Sequence, residues 1–323
     1  MKILITGSLG LVGSEATRFY LDRGHEVIGI DNNMREYFFG PDGSVLKNMI
    51  KHPNYTYHNM DIQDSAQVIL NFKPDAIIHA AAQPSHDWAA KDPITDFNVN
   101  ANGTLILLEA FRKYAPEAVF IYVSTNKVYG DNPNKLSLIE LETRYESSCE
   151  VNEYMNIDNC MHSLFGVSKL SGDLLTQEYG RYFGLKTGVF RCGCITGRKH
   201  SGVELHGFLS YLVRCKKEKR RYKVYGYKGK QVRDNIHAYD LVNAFNCFIA
   251  NPRQGEVYNM GGGRYSNVSV LEALERLKVK YDYIDQPRKG DHKWYISDVS
   301  KFRSHYPKWE YTYNMDKIIE NLL

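Results

Sequence analysis

The stretch Lys2-Ile3-Leu4-Ile5-Thr6-Gly7-Ser8-Leu9-Gly10-Leu11-Val12-Gly13 limits this chain more than any other, because it runs strand, glycine turn and helix in one order. A helix N-terminus offers unpaired N–H groups and the positive end of the helix dipole, so it attracts a pyrophosphate if the backbone can come close. Glycines at 7, 10 and 13 permit that approach, with Leu9, Leu11 and Val12 between them. Glycine turns also serve plain chain reversal. Here the context favours a ligand: a helix is expected over Ser14–Arg23, and a second strand, Glu26–Asp31, ends on a carboxylate. A carboxylate there accepts hydrogen bonds from the adenosine ribose and repels a 2′-phosphate, so the pattern predicts NAD and not NADP. An ordinary turn in Asp31-Asn32-Asn33 is the bland alternative. Asp61-Ile62, after a strand-like Tyr55–Met60, is placed at the adenine edge, and Ala80-Ala81-Ala82 as small residues beneath the cofactor.

Strand-like runs Lys2–Thr6, Glu26–Asp31, Asp75–Ala80 and Val119–Ser124 alternate with helical stretches, the pattern of a parallel sheet covered on both faces. Gly184–Arg191 and Glu256–Gly261 supply later strands. The predicted fold is α/β: a Rossmann doubly wound parallel sheet with a smaller, sequence-interleaved C-terminal substrate lobe. Residues 1–192 form the NAD-binding domain, 230–262 return to it, and 193–229 with 263–323 form the lobe. Asn32–Pro53 is the longest connector without a pattern, and such loops are often functional.

A net charge of +4, from 41 Lys and Arg against 37 Asp and Glu, is far from the basic stripe of a nucleic-acid binder. The cluster Lys216–Arg221 reads as the solvated end of a helix beginning near Phe208. Six cysteines lack paired metal-ligand spacing, so no metal site is expected. The first strand begins directly after Met1, and no apolar run nears the ~20 residues that span a bilayer. A cytoplasmic protein without membrane contact is the expectation.

The wide glycine spacing, His79-Ala80-Ala81-Ala82, Asn100, Ser124-Thr125, and Lys169 with an aromatic residue four positions earlier together resemble the extended short-chain dehydrogenase/reductase family over nearly the whole chain. Within it, Ala81–Trp88, Ser124–Gly130, His162–Lys169 and Gly229–His237 are most similar to the CDP-paratose 2-epimerases. The resemblance implies an NAD-dependent nucleotide-sugar epimerase acting through a transient keto-sugar, at C2 of a CDP-sugar. It makes Ser124, Thr125, Lys127 and Lys169 the catalytic group, with Asn100, Ser124 and Lys169 also meeting the cofactor. It assigns Ser85, His86, Thr125, Asn126, His162, Glu204 and His206 to the nucleotide sugar, with Leu205 in the same stretch, while a strand expected over Tyr222–Gly229 would present Tyr225 to the nucleobase. Bidentate guanidinium forks suit Arg233 and Arg288 to the diphosphate.

One position departs from the family. Oxidation of an alcohol needs a base, and where the family places a tyrosine this chain has Phe165. Three readings stay open: Lys127 as base, with His86 or His162 relaying a proton; a tyrosine from elsewhere, Tyr129 or Tyr154; or a binding protein without catalysis. A 4,6-dehydratase-type activity is the rival enzymatic reading, because Asn126-Lys127 occupies the position of the dehydratase acid and base. The family also implies a homodimer through Ala101–Tyr114 and Ser163–Tyr182, with Leu105, Leu108, Leu170 and Leu174 available.

Overall fold

Ile3, Leu4 and Ile5 of the first strand are wholly buried, and so are Ile77, Ile78, Phe120 and Ile121 further along. Runs that are apolar on both faces belong to a parallel sheet with helices on each side, and the chain builds one. The computed structural model describes residues 1–200, 202–204, 206–288 and 290–323. Its main sheet contains β1 (Lys2–Thr6), β2 (Glu26–Ile30), β3 (Tyr55–His58), β4 (Ala76–His79) and β5 (Val119–Thr125). After a hairpin of β6 (Ile139–Glu140) and β7 (Tyr145–Glu146) come its remaining members, β8 (Lys186–Cys192) and, beyond β9 (Cys194–Thr196), β10 (Tyr222–Tyr225) and β11 (Val232–His237), β12 (Glu256–Met260). All seven strands are parallel, in the order β12-β8-β5-β4-β1-β2-β3. The strand order reverses between β1 and β4, which is where ligands of such sheets bind.

Helices α1 (Leu11–Leu21) and α9 (Ala238–Ala250) cover one face through Phe19, Tyr20, Phe245 and Phe248. On the other face lie α3 (Ala66–Phe72), α6 (Gly103–Tyr114) and α7 (Leu164–Phe183), packed through Ile69, Leu107, Phe111 and Tyr179. A third core joins α8 (Phe208–Lys217) to β10 and α10 (Val270–Leu277). There β10 pairs with β14 (Tyr281–Ile284), while β11 is flanked by β9, β13 (Asn267–Ser269) and β15 (Trp294–Tyr295). Lys216 and Lys217 end α8 on the surface.

The structure places two segments differently from the expectation. Val232–His237, assigned to the stretch returning to the main sheet, lies in the small mixed sheet instead, and the return begins only at α9. Arg233, Asp234 and Asn235 make β11 too polar for a strand covered by helices on both faces. Conversely, Phe302 of α11 (Ser300–His305), with Tyr306 and Trp309, enters the main core, although the C-terminal stretch was assigned to the lobe. Asn32–Pro53 is also more ordered than its composition suggests. It holds α2 (Met34–Phe39), fixed by a left-handed Asn33 (φ 54°) whose Oδ1 accepts from Val45 N at 2.9 Å. Asn48 donates to Leu9 O at 2.8 Å and ties the segment to the glycine turn. Among the described residues no helix is long and apolar enough to cross a membrane.

Candidate active site

The glycine turn is shaped by contact. Gly7 has φ +66°, and a Cβ there would lie 2.7 Å from Ala81 N. A Cβ on Gly13 would lie 2.0 Å from Gly7 O. The turn therefore packs on itself and on Ala80-Ala81 with no room for side chains. Asp31 accepts from Leu9 N at 3.0 Å and from Asn33 N at 2.8 Å; burial raises its carboxyl pKa and these N–H bonds oppose the rise. Asn32 donates to Asp61 at 3.2 Å, and Asp61 caps the short turn Ile62–Asp64.

From this turn a cleft of about 460 Å³ runs along the carboxyl edge of the sheet to Lys223 and Tyr225. It is lined by Gly7, Gly10, Leu11, Val12, Gly13, Asp31, Asn32, Asp61, Ile62 and Ala80-Ala81-Ala82. Leu9 and Asn100 do not line it. The Leu9 side chain is buried in the core, and the Asn100 amide is taken up by Gln83 O, Asp96 and Ser168 within a π-helical turn, bracing the loop after β4.

At the waist of the cleft stand Ser124, Thr125, Asn126, Lys127, Phe165 and Lys169. Lys127 Nζ donates to Gly290 O at 2.8 Å. Burial pulls its pKa down to about 8, against Asp291, with Arg233 and Arg288 adding to the fall. Lys169, one helical turn after Phe165, donates to Val123 O at 2.9 Å and lies 4.1 Å above the Tyr122 ring; burial pulls it to about 8 as well. Ser124 lines the cleft, yet its hydroxyl donates to Asp173 at 2.6 Å. Asp173 in turn holds Arg191 at 2.9 Å in a buried pair, so Ser124 belongs to a framework beneath the site. Thr125 Oγ1 accepts from Lys127 N at 3.3 Å and sets the turn that carries the lysine.

Neither substitute tyrosine reaches the cleft. Tyr129 is fully buried, donates to Asn259 at 2.7 Å, and is pushed up to about 12 by burial. Tyr154 is 91% exposed, outside the lining. Two residues assigned to the sugar also turn away: His162 shares a 2.9 Å bond with Val128 O, and Ser85 accepts from Trp88 N as the cap of α4 (His86–Lys91). Helix caps and loop ties recruit the same polar side chains as ligands do.

At the far end, Glu204 accepts from Tyr225 OH at 3.1 Å and from Lys223 at 3.2 Å. His206 lies 3.4 Å from an Arg35 nitrogen and is held well below its usual pKa by burial. Arg233 pairs with Asp291, and Arg288 with Asp87 at 3.1 Å. Leu205 lies outside the described residues.

Residues 3–261 match the model of the NAD dependent epimerase/dehydratase family. The chain belongs to this family. The CDP-paratose 2-epimerase of Salmonella typhi is 32% identical over 317 residues, covering 93% of this chain and 92% of that protein. A dTDP-glucose 4,6-dehydratase of Salmonella typhimurium is 29% identical over 273 residues, 81% and 72% of the two. The UDP-glucose 4-epimerase of Thermus thermophilus, solved with NAD, shares the fold with a TM-score of 0.80 at 22% identity, covering 100% and 97%.

For a member of this epimerase/dehydratase family, the sequence reading left several cleft residues unnamed. Arg35, Phe38 and Val45 come from the connector that had no pattern, and Tyr222 and Asp291 from the lobe. Arg233, Lys127 and Arg288 hold the Asp291 carboxyl down to about 2 although burial works against them. The Arg288-Lys289-Gly290-Asp291 run, a charge cluster around a glycine, was the one available signal.

Proposed function

We propose that this protein epimerises C2 of a CDP-linked sugar through a transient keto-sugar, with NAD as resident cofactor, in the cytoplasm and as a homodimer. The observation that carries the reading is a single cleft that joins the glycine turn to Tyr225 and holds two buried lysines, Lys127 and Lys169, at its waist. Similarity to CDP-paratose 2-epimerase across both chains supports the substrate and the carbon.

The cradle fits a dinucleotide, because the tightly packed Gly7–Gly13 turn brings bare backbone and the helix N-terminus to the cleft wall with no side chain between. Gly10, Leu11 and Val12 present the helix N-terminus to its diphosphate, and Asp31 receives the adenosine ribose. NAD, when bound, takes a hydride from the sugar carbon and gives it back. Lys169 holds the nicotinamide ribose. Thr125 bonds the reacting hydroxyl and Lys127 Nζ, in its neutral form, accepts the hydroxyl proton and later returns it. Arg233 and Arg288 grip the sugar-nucleotide diphosphate, while Tyr225 and Glu204 border the base.

The same lysine supports a dehydratase reading, since it is able to remove a proton next to a newly formed carbonyl, and a dehydratase is among the relatives. Incubation with CDP-sugars in deuterated water separates the two. An epimerase yields the C2 epimer without solvent deuterium at C2; a dehydratase loses water and incorporates deuterium. If no nucleotide sugar is turned over, the catalytic reading fails and a binding protein remains.

The homodimer reading rests on α6 and α7. Leu108 is buried beneath α6 and Leu170 is half-buried, but Leu105, Val167 and Leu174 are 37%, 46% and 40% exposed. An exposed apolar stripe on two neighbouring helices suits a second copy.

A further inference from the structure

Phe165 has no oxygen, and the side chain packed on its ring, His86, is an imidazole among the lining residues of the cleft. The His86 ring lies 4.7 Å from that of Phe165, centroid to centroid, and lines the waist. Its Nδ1 shares a 3.0 Å hydrogen bond with Ser163 Oγ, and its Nε2 has no protein partner among the described residues. Ser163 caps α7, accepting from Gly166 N at 3.2 Å, and does so at φ +67°. For a residue other than glycine such a backbone is strained and persists only where its surroundings enforce it, which is common at functional sites. Here it fixes the imidazole at the start of the helix that carries Phe165 and Lys169.

Lys127 is not free to serve every position of the sugar oxygen, because its Nζ is tied to Gly290 O at 2.8 Å. When a keto-sugar turns its other face to the cofactor, the oxygen moves. Accepting the cleft as the site of sugar oxidation, we propose that His86, aimed by Ser163, is a second acid–base group that relays the proton from Lys127 to the displaced oxygen. In the oxidation the hydroxyl proton goes to Lys127 Nζ as the C–H bond breaks and its electron pair leaves as hydride to the nicotinamide. In the return, hydride adds to the carbonyl carbon while the Lys127 ammonium passes its proton to the free Nε2 lone pair, and the transient imidazolium, its Nδ1–H held by Ser163 Oγ, gives that proton to the oxygen. Both groups end neutral, as they began.

Among the described residues, four charged or titratable groups bear on the imidazole: Lys127 from the turn after β5, Arg288 and Asp291 from the lobe loop, and His206 from the segment before α8. Burial, then Lys127 and Arg288, hold its pKa down to about 3 against Asp291, so it rests neutral.

The test uses the NAD-loaded protein, with His86→Gln to keep a polar partner for Ser163 without proton transfer. Reduction of bound NAD in the first turnover should stay within about threefold of wild type while epimer release falls about 100-fold, the scale of general acid–base catalysis. Keto-sugar and reduced cofactor should accumulate. Nitrogen NMR of the imidazole gives a second readout: one fixed, neutral tautomer between pH 5 and 8, which becomes a mixture in Ser163→Ala. A His86→Gln enzyme that epimerises normally, or one that loses reduction and release equally, overturns the relay, as does a mixed tautomer in the wild type. A wild-type protein that reduces no NAD with any nucleotide sugar overturns the site reading itself.

Discussion

If Lys127 is the base, the rate of sugar oxidation must follow its deprotonation, and the structure gives the range. Burial removes the water that solvates an ammonium, and the neighbouring Arg233 and Arg288 disfavour the charge further; Asp291 recovers part, leaving a pKa of about 8. Only the neutral amine accepts a proton, so activity rises with pH through that value. The competent fraction is about 1% at pH 6, about 10% at pH 7 and one-half at pH 8, so kcat should climb about 50-fold from pH 6 to pH 8 and level off above pH 9. Stopped-flow measurement of NAD reduction across this range, with saturating CDP-sugar, reads it directly. Lys169 has a similar pKa, so the variant must discriminate. Lys127→Arg keeps the charge and reach but does not titrate here; it should abolish the rising limb and lower the rate by about 10²–10⁴. Asp291→Asn removes an opposing carboxylate and should move the limb to lower pH. A rising limb that survives in Lys127→Arg would refute the assignment.

Three further outcomes are expected. Gly13→Ala puts a methyl group 2.0 Å from Gly7 O, so the turn must open, and NAD affinity measured by calorimetry should fall more than about tenfold as the N–H groups lose their aim. Asp173→Asn strips the buried Arg191 of its carboxylate; breaking such a pair costs about 3–5 kcal/mol, and Tm should drop by roughly 5–10 °C in scanning calorimetry. Leu174→Glu should turn a dimer into a monomer in analytical ultracentrifugation while the far-UV circular dichroism of the folded chain stays unchanged, because the side chain is 40% exposed in the single chain.

The cofactor half was legible because its constraints are local. A strand, three glycines and a strand-end carboxylate lie within the first 31 residues, and each is required by backbone geometry that sequence displays. Lys127 and Lys169 were legible from family stretches, and the structure brings both to one cleft. Asn100, His162 and Ser85 show the limit. Their side chains have the chemistry of ligand contacts, yet each satisfies a buried loop or a helix end, and which partner wins depends on residues distant in sequence such as Ser168 and Val128. Arg35 escaped notice for the opposite reason: α2 is a six-residue helix, too short for periodicity to reveal.

The chain crosses between its two halves more than once. Strand β8 of the large sheet is followed at once by β9 of the small one, α9 leads back, and Phe302 and Trp309 near the end lie under the large sheet. No single cut yields a self-sufficient cofactor module or a detachable sugar module, and a recombination event would have to splice at several points to exchange one for another. A change in what the groove accepts is therefore more readily made by individual replacements along its lining than by exchange of a module.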